Sequence, residues 1–536
     1  MKKTTLAIAM AALALMAGCK KENTNGSIDM DGATLTAAIE QHKADGSKTS
    51  LNPDDLSISW TTGDAIFVNN GTESKQFTLG SIDSEGVGVF GCSGDYTFGT
   101  SNIAVYPYNE NTTISNGTVT MTLPETQTAT AGTFGNGANP MLDTFSDPER
   151  ATFTSLCGAL CLQLKGNNVH MTAIEVVNGT DGMLNGTYTF DAASPTLANP
   201  TEGTNKVRVE LSQPVTLTST AATKFFVVLP ACTMTNGLIL NVYDGESKIF
   251  TKKANTEIAI AANTVSTMGE LQVIAGALNS AFSVSATQQV YFSNGNLQYQ
   301  ATTNTWRLAM HQYDYVGSAN SNLSETYSGW IDFFGWGTSG YNHNNAKYHP
   351  WDYGTDKSQF YAYGDANKNL YDEDGKADWG YNSISNGGNQ ENSGWRTLTI
   401  DELYYLFDTR TTSSGIRWTR ANVGNVNGII LLPDNWSMDY YTLNNANGGS
   451  YAGNTITAED WANKLEANGA AFLPAAGYRN DANTNVNAPG SGGSYRSATH
   501  GTSLARGLYF ANNQFQLQGG HRFGGGSSVR LVRNVE

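Results

Sequence analysis

Hydrophobic positions alternate with polar ones over short stretches along most of this chain, and the clearest example lies near its end. Leu508 and Phe510 alternate before Asn512-Asn513, and Phe515 and Leu517 alternate after it. That pattern predicts a hairpin with one buried face and a two-residue turn. On the other face a period of two sets Gln514, Gln516 and Gln518 side by side, close in sequence to Arg506, His521 and Phe523. No core requires that mixture of charge, amide and ring, so the face is expected to touch something outside the domain.

Upstream, turn signals recur at Asn69-Asn70-Gly71, Asn116-Gly117, Asn178-Gly179, Asn185-Gly186 and Asn236-Gly237, and they separate runs such as KFFVVLP and GLILNVY. This spacing predicts a β-sandwich over residues 50–272. After a small-residue linker at 273–280, FSVSATQQVYFSNGNLQYQATTNTWRLA predicts a hairpin turned at Ser293-Asn294-Gly295. Two helices are predicted in the second half. LTIDELYYLFD has a capping-box pattern at Thr399 and Glu402, and ITAEDWANKLEANG has Thr457 as its cap and Gly469 as its stop. Two helices, long loops and a terminal ribbon give an α+β domain at 281–536 with a C-type lectin-like fold, so the chain as a whole is mainly β.

Composition supports that division, since nine of ten Trp lie beyond residue 300 and every Cys lies before residue 233. A length of 536 residues exceeds one ordinary core. A net charge of -16 without clustered Lys and Arg argues against nucleic acid as a partner. At the amino terminus Lys2 and Lys3 precede an apolar run from Leu6 to Ala17, which predicts a signal peptide over 1–19, too short to span a bilayer. Met16-Ala17-Gly18-Cys19 resembles a lipobox with Met in place of the usual Leu, and it implies a diacylglycerol anchor on Cys19 at the outer membrane. A polar tether is expected over 20–50. Cys92, Cys157, Cys161 and Cys232 are open to two readings, a disulfide or buried free thiols.

The series ISWTTGDAIFV (Trp60, Gly63, Asp64), IAVYPYN (Tyr106, Pro107, Tyr108), LPETQ, NPMLDTF and FFVVLPA resembles the fimbrillin-like subunits of type V pili. The resemblance implies cell-surface display, fimbrial partners and removal of an amino-terminal strand to open a groove for a neighbour's strand. No Arg precedes Arg150, so Lys43 or Lys48 would have to serve as the cut site. A subunit whose carboxyl side continues into another domain could accept a strand without donating one, which suits a pilus tip.

In the second half WRTLTIDELYYLF, ILLPDNW, FLPAAGYR and SVRLV resemble the formylglycine-generating-enzyme-like branch of the C-type lectin fold. Within it the chain is similar to the variable proteins of diversity-generating retroelements, through Tyr495, Ser497, Thr499, Ala505, Leu508, Phe510 and Ser528-Val529-Arg530-Leu531-Val532, with Arg496 where an aromatic usually stands. The resemblance implies varied or ligand-contacting positions at Ser494, Arg496, Ala498, His500, Thr502, Leu504, Arg506, Gln514, Gln516, Gln518, His521 and Phe523. A fixed lectin-like surface is the alternative. The expected ligand is a protein or glycan on another cell or on a phage.

Candidate chemistry is sparse. No Cys follows Cys232, so the second half offers no thiolate nucleophile or thiolate metal site, and no H-E-x-x-H, G-x-S-x-G or phosphate loop occurs. The G-x-G-x-x-G at Gly86–Gly91 opens no helix and is read as a turn of the sandwich. Asp372, Asp374 and Asp378 around a Gly turn would suit Ca²⁺ but lack the closing Glu of an EF-hand, and an ordinary acidic turn is the alternative. His343 and His349 would need a third ligand to hold a transition metal. The expectation is therefore a non-enzymatic adhesin without a cofactor. An extracytoplasmic enzyme of the formylglycine-generating type and a purely structural fimbrial subunit are the competing readings.

Overall fold

The computed structural model describes residues 31–41, 50–51, 57–365, 368–501 and 503–535. Cys19, Lys43, Lys48 and Thr502 lie outside them. The described residues are mainly β with two short α-helices, and no helix among them is long and apolar enough to cross a membrane.

The first region holds two cores where a single sandwich is expected from sequence. Thr34–Ile39, Ala65–Asn69, Ser74–Ile82, Gly88–Gly91, Asn102–Tyr106, Met141–Phe145 and Ala151–Ser155 close into a barrel. Its core centres on Trp60, which meets the rings of Phe90, Phe153 and Tyr106 edge-on at 4.8, 5.4 and 5.6 Å. Trp60 Nε1 donates to the Ala37 carbonyl at 2.9 Å, and the Tyr106 hydroxyl donates to Asp64 Oδ1 at 2.9 Å. Residues of two separated sequence motifs thus converge on one point of the core.

A second core lies between a five-stranded sheet (Thr126–Ala129, Lys206–Leu217, Val169–Asn178, Leu238–Asp244, Ser247–Ala254) and a three-stranded one (Thr223–Pro230, Cys157–Gly166, Val265–Val273). The three-stranded sheet serves both cores. Leu160, Leu162 and Leu164 face the sandwich, whereas Cys157, Ala159 and Cys161 face the barrel, as a period of two dictates. Phe225, Val227 and Leu229 alternate with Phe226 and Val228 in the same way. Both faces being dry explains why these strands read as unbroken apolar runs. The four cysteines are free, and burial pushes the Cys232 thiol up to about 11.

Three further expectations need correction here. The expected tether over 20–50 contains Thr34–Ile39, which pairs antiparallel with Gly88–Gly91 and parallel with Ala151–Ser155 and buries Leu35, Ala37 and Ile39. Gly88–Gly91 of the glycine motif is a barrel strand, beyond a turn at Gly86. Ser293-Asn294-Gly295 does not turn a hairpin: Gln289–Phe292 pairs with Phe282–Ser283 and Leu531–Asn534, whereas Leu297–Gln300 pairs with Thr305–Leu308 in another sheet. Alternation on either side of a turn signal does not reveal which partner each strand takes.

In the second region Thr399 and Glu402 form the capping box, and Ile400–Tyr404 runs into a π-turn at Tyr405–Thr409. Thr457 caps Ala458–Asp460, a π-turn follows at Trp461–Leu465, and Gly469 ends the segment at φ +88°. Trp336, Trp379, Trp436 and Trp461 are fully buried. The linker is packed rather than free: Asn279 Nδ2 bridges the carbonyls of Thr251 at 2.7 Å and Ala467 at 3.0 Å, and Lys248 pairs with Glu466 at 2.9 Å. Burial alone would raise the Glu466 carboxyl, but Lys248 and Gln312 hold it below its ordinary value.

Candidate ligand cleft on the terminal ribbon

Three antiparallel strands, Gly492–Arg496, Ala505–Ala511 and Gln514–His521, form the terminal ribbon. Ala511 pairs with Gln514 across the two-residue Asn512-Asn513 turn, and Phe510 pairs with Phe515. Tyr495, Leu508 and Phe510 enter the core, where Phe515 stacks on Trp418 at 4.4 Å. Arg420 fixes the hairpin end by donating to the carbonyls of Ala511 at 2.9 Å and Gln514 at 2.8 Å. The inner face is therefore rigid, and the outer face is exposed along Gln514, Gln516 and Gln518.

On that outer face lies a cleft of about 560 Å³ whose walls include Tyr478, Arg479, Asp481, Tyr509, Gln516 and His521. Cross-strand pairing sets Tyr509 between Ser494 and Gln516. Gln518 sits at a bulge with φ +67°, which shifts the register so that His521 falls opposite Ala505. The His521 ring lies over Gly507, where a Cβ would come within 2.9 Å of Nε2. Only glycine leaves space for it there.

The polar groups of the cleft are unequally satisfied. Ser494 Oγ is 2.9 Å from His521 Nδ1 and 2.8 Å from Ser527 Oγ, while His521 Nε2 has no hydrogen-bond partner. Arg479 is 1% exposed and donates through Nη1 to the Phe333 carbonyl at 2.9 Å, but its Nε and Nη2 have no partner. Arg496 lies behind the wall: Nε donates to the Phe334 carbonyl at 3.2 Å and Nη2 to the carbonyls of Arg522 and Gly525, which leaves Nη1 unpartnered. Neither arginine forms an ion pair with a described residue. The one carboxylate at the cleft, Asp481, is 3.2 Å from Arg522. Burial lowers Arg479 to about 10, burial and the charge of Arg479 lower Arg496 to about 9, and burial together with Arg496 lowers His521 to about 3.

The sequence-derived contact positions fall into two groups. Leu504, Gln514, Gln516 and Gln518 are exposed and Arg506 is half-buried. Ser494, Arg496, Ala498, His500, His521 and Phe523 are buried, so the expectation that they stand outward is corrected. The cause is a cover not visible in strand periodicity. The segment from Arg522 to Ser528 folds back over the ribbon, Ser528 N donating to the Ser494 carbonyl at 2.9 Å and Arg496 N to the Ser528 carbonyl at 3.0 Å. Phe523 packs edge-on against Trp336 and Tyr363, and His500 lies against Trp336. Ser494 and His521 still reach the cleft floor.

Sequence reasoning missed Tyr478, Arg479, Asp481, Tyr509 and Arg522. The available signal was the polar run Tyr478-Arg479-Asn480-Asp481 directly after FLPAAG, where a buried strand ends in a charged loop.

The metal candidates do not converge. Asp378 is spent on Thr397, accepting from its N at 2.9 Å and its Oγ1 at 3.0 Å; Asp372 accepts from Asn369 N at 2.7 Å; Asp374 projects outward toward Lys376. His343 pairs with Glu373 at 2.8 Å, and His349 pairs with Asp352 at 3.1 Å. Among the described residues no three His, Cys, Asp or Glu side chains form a metal-binding group.

No protein-family model and no curated protein matches the chain. Solved structures resemble part of it. One from Bacteroides ovatus, described as a candidate cell adhesion protein, has a TM-score of 0.31 at 11% identity over 45% of this chain and 91% of its own. Another so described, from Bacteroides uniformis, has a TM-score of 0.27 at 17% identity over 45% and 92%. A fimbrial assembly protein from Parabacteroides distasonis has a TM-score of 0.21 at 11% identity over 52% and 98%.

Proposed function

We propose that this chain is a cell-surface adhesin that captures a ligand on the outer face of its terminal ribbon and performs no turnover. The observation that carries this reading is the division of the ribbon itself. Its inner side is locked into the core, while Gln514, Gln516 and Gln518 stand exposed and Gln516 joins Tyr478 and Tyr509 at an open cleft. Amides that both donate and accept, flanked by rings with few rotatable bonds, suit recognition. Exchange of side chains at Leu504, Arg506, Gln514, Gln516 and Gln518 would alter the ligand without altering the fold, which suits a retroelement-diversified tract. The Ser494–His521 contact offers poor catalysis, because a ring nitrogen lowered to about 3 is a weak base at neutral pH.

In this reading the anchor on Cys19 holds the protein at the outer membrane. A neighbouring fimbrial subunit would donate a strand in place of Thr34–Ile39 after a cut at Lys43 or Lys48. The strand Leu531–Asn534, held between Gln289–Phe292 and Trp395–Thr397, is not available for donation, which favours a terminal position in a pilus. The test is binding of the purified protein to arrays of immobilised surface glycans and proteins, beside a variant with Gln514, Gln516 and Tyr509 all replaced by Ala. Capture by the parent that the variant loses supports the ribbon face. Equal capture by both, or capture by neither, removes it.

A further inference from the structure

We infer that the free edge of the terminal ribbon pairs with the same edge of a second copy of this chain, antiparallel and centred on Gln516. Gln514–His521 is the outermost strand of its sheet, bonded on one side to Ala505–Ala511 and on the other to no described strand. The two-residue turn fixes which backbone groups point each way. Ala511 and Gln514 close the hairpin as a hydrogen-bonded pair, so Phe515 and Leu517 fall at the alternate positions, where N–H and C=O point away from the hairpin. Among the described residues, none outside the hairpin bonds the backbone of either.

The pattern along that edge reads the same in both directions: Gln514, Phe515, Gln516, Leu517 and Gln518 run amide, apolar, amide, apolar, amide. With Gln516 opposite its symmetry mate, Phe515 of each copy meets Leu517 of the other, and these are the residues whose N–H and C=O point outward. About four backbone hydrogen bonds form without any change of register. The side chains agree with the backbone. Phe515 and Leu517 are half-buried on the core side, so each cross-pair covers apolar surface that a single ribbon leaves wet, and the Gln516 amides, which both donate and accept, meet at the axis. The edge also lacks the charges and prolines that keep sheet edges apart. None occurs between Gly507 and Gly520, and no Asp or Glu occurs from Ala482 to Val535, so the ribbon sets no carboxylate against its copy although the chain carries a net charge of -16. The bulge at Gln518 confines pairing to the segment before it and keeps the interface small. The twofold axis stands perpendicular to the joined sheet, so both outer faces look the same way, and the pairing holds whatever the cleft binds.

The experiment is sedimentation equilibrium of the full chain from about 5 to about 500 μM at physiological salt, a range suited to a small interface between like-charged chains. The weight-average mass of the parent is expected to rise toward twice that of the monomer by the top of the range. Gln516→Glu and Gln516→Lys each set like charges directly opposite across the axis, and each alone is expected to stay monomeric with an unchanged melting temperature. An equimolar mixture of the two variants is expected to associate again, because opposite charges then face each other. A parent that stays monomeric throughout overturns the inference. So does a variant of either sign that associates like the parent, or a mixture no heavier than its separate components.

Discussion

The first region and the terminal ribbon handle buried polarity in opposite ways. Among the described residues of the barrel and sandwich, every unpartnered buried side-chain atom belongs to a neutral group: the hydroxyls of Tyr96 and Tyr188 and the amide oxygen of Asn263. The interior carboxylate Asp64 is satisfied by Thr61 and Tyr106. Around the ribbon the unpartnered atoms include those of charged side chains, Arg479, Arg496, Arg530 and Asp481, together with His500, His521 and Ser528. A region built for stability closes its hydrogen bonds, and one built for a ligand leaves donors waiting. The largest effect that would break this contrast is in the barrel. Trp60→Ala removes the ring at the centre of three edge-on contacts and is expected to cost about 3–5 kcal/mol in chemical denaturation. A loss below that range would mean the barrel core is not the stabilising element.

How much of this was legible in the sequence follows from which interactions are local. The ribbon hairpin, the Thr399–Glu402 capping box and the Gly469 stop depend on residues a few positions apart, and each stands where its pattern predicts. The two-core arrangement was written in SLCGALCLQLK and KFFVVLP as continuous apolar runs, yet a run says only that both faces are dry and not what dries them. Thr34–Ile39 is six residues between polar stretches, too brief for its alternation to stand apart from a tether. At the site, strand pairing sets Ser494 and His521 on the outer face, His521 only through the bulge at Gln518 that breaks the period of two. The fold-back from Arg522 to Ser528 that buries them is a tertiary event with no local signature.

His521 provides a pH test of the ribbon half. Its ring is lowered from the ordinary 6.5 to about 3, so between those values the unfolded chain takes a proton that the folded one refuses. Its contribution is complete above about pH 6.5 and is lost as pH falls through that window, at up to about 1.4 kcal/mol per pH unit. His521→Gln should flatten this slope in urea denaturation followed from pH 7 to pH 4. An unchanged slope would show that the ring is not sequestered.

The junction between the two regions comes next in size. With its carboxyl held below the ordinary 4.5, Glu466 stabilises the fold above that value and ceases to do so as pH falls below it. Lys248 is 24% exposed and can turn to water when its partner is lost, so Glu466→Gln is expected to cost about 1–2 kcal/mol rather than the full penalty of a sealed pair. Limited proteolysis at the linker, faster in the variant, would register the same loosening.

Arg479→Met separates a ligand-facing charge from a structural one. A structural buried arginine costs about 3–5 kcal/mol to truncate, because its partner is stranded. Here the loss is one hydrogen bond to the Phe333 carbonyl and the attraction between the guanidinium and the buried Asp332, set against relief of the cost of burying the cation, and the change in stability is expected to stay within about 2 kcal/mol. A large destabilisation would move Arg479 to the structural side of the comparison.

The smallest effect is the most diagnostic of the ribbon's two-sided construction. Gln514, Gln516 and Gln518 project from a strand whose neighbours Phe515 and Leu517 pack on the core. Replacing all three amides with Ser leaves those inward contacts untouched, and the left-handed backbone at Gln518 is the one place where side-chain identity bears on conformation. The stability change is expected within about 0.5 kcal/mol, as for surface substitutions generally. A companion variant that carries Gln518→Asn in place of Gln518→Ser should recover any deficit, because Asn tolerates positive φ better than Ser. If that companion also melts several degrees below the parent, the outer face is bearing fold, and the separation of a fixed inner side from an exchangeable outer one fails.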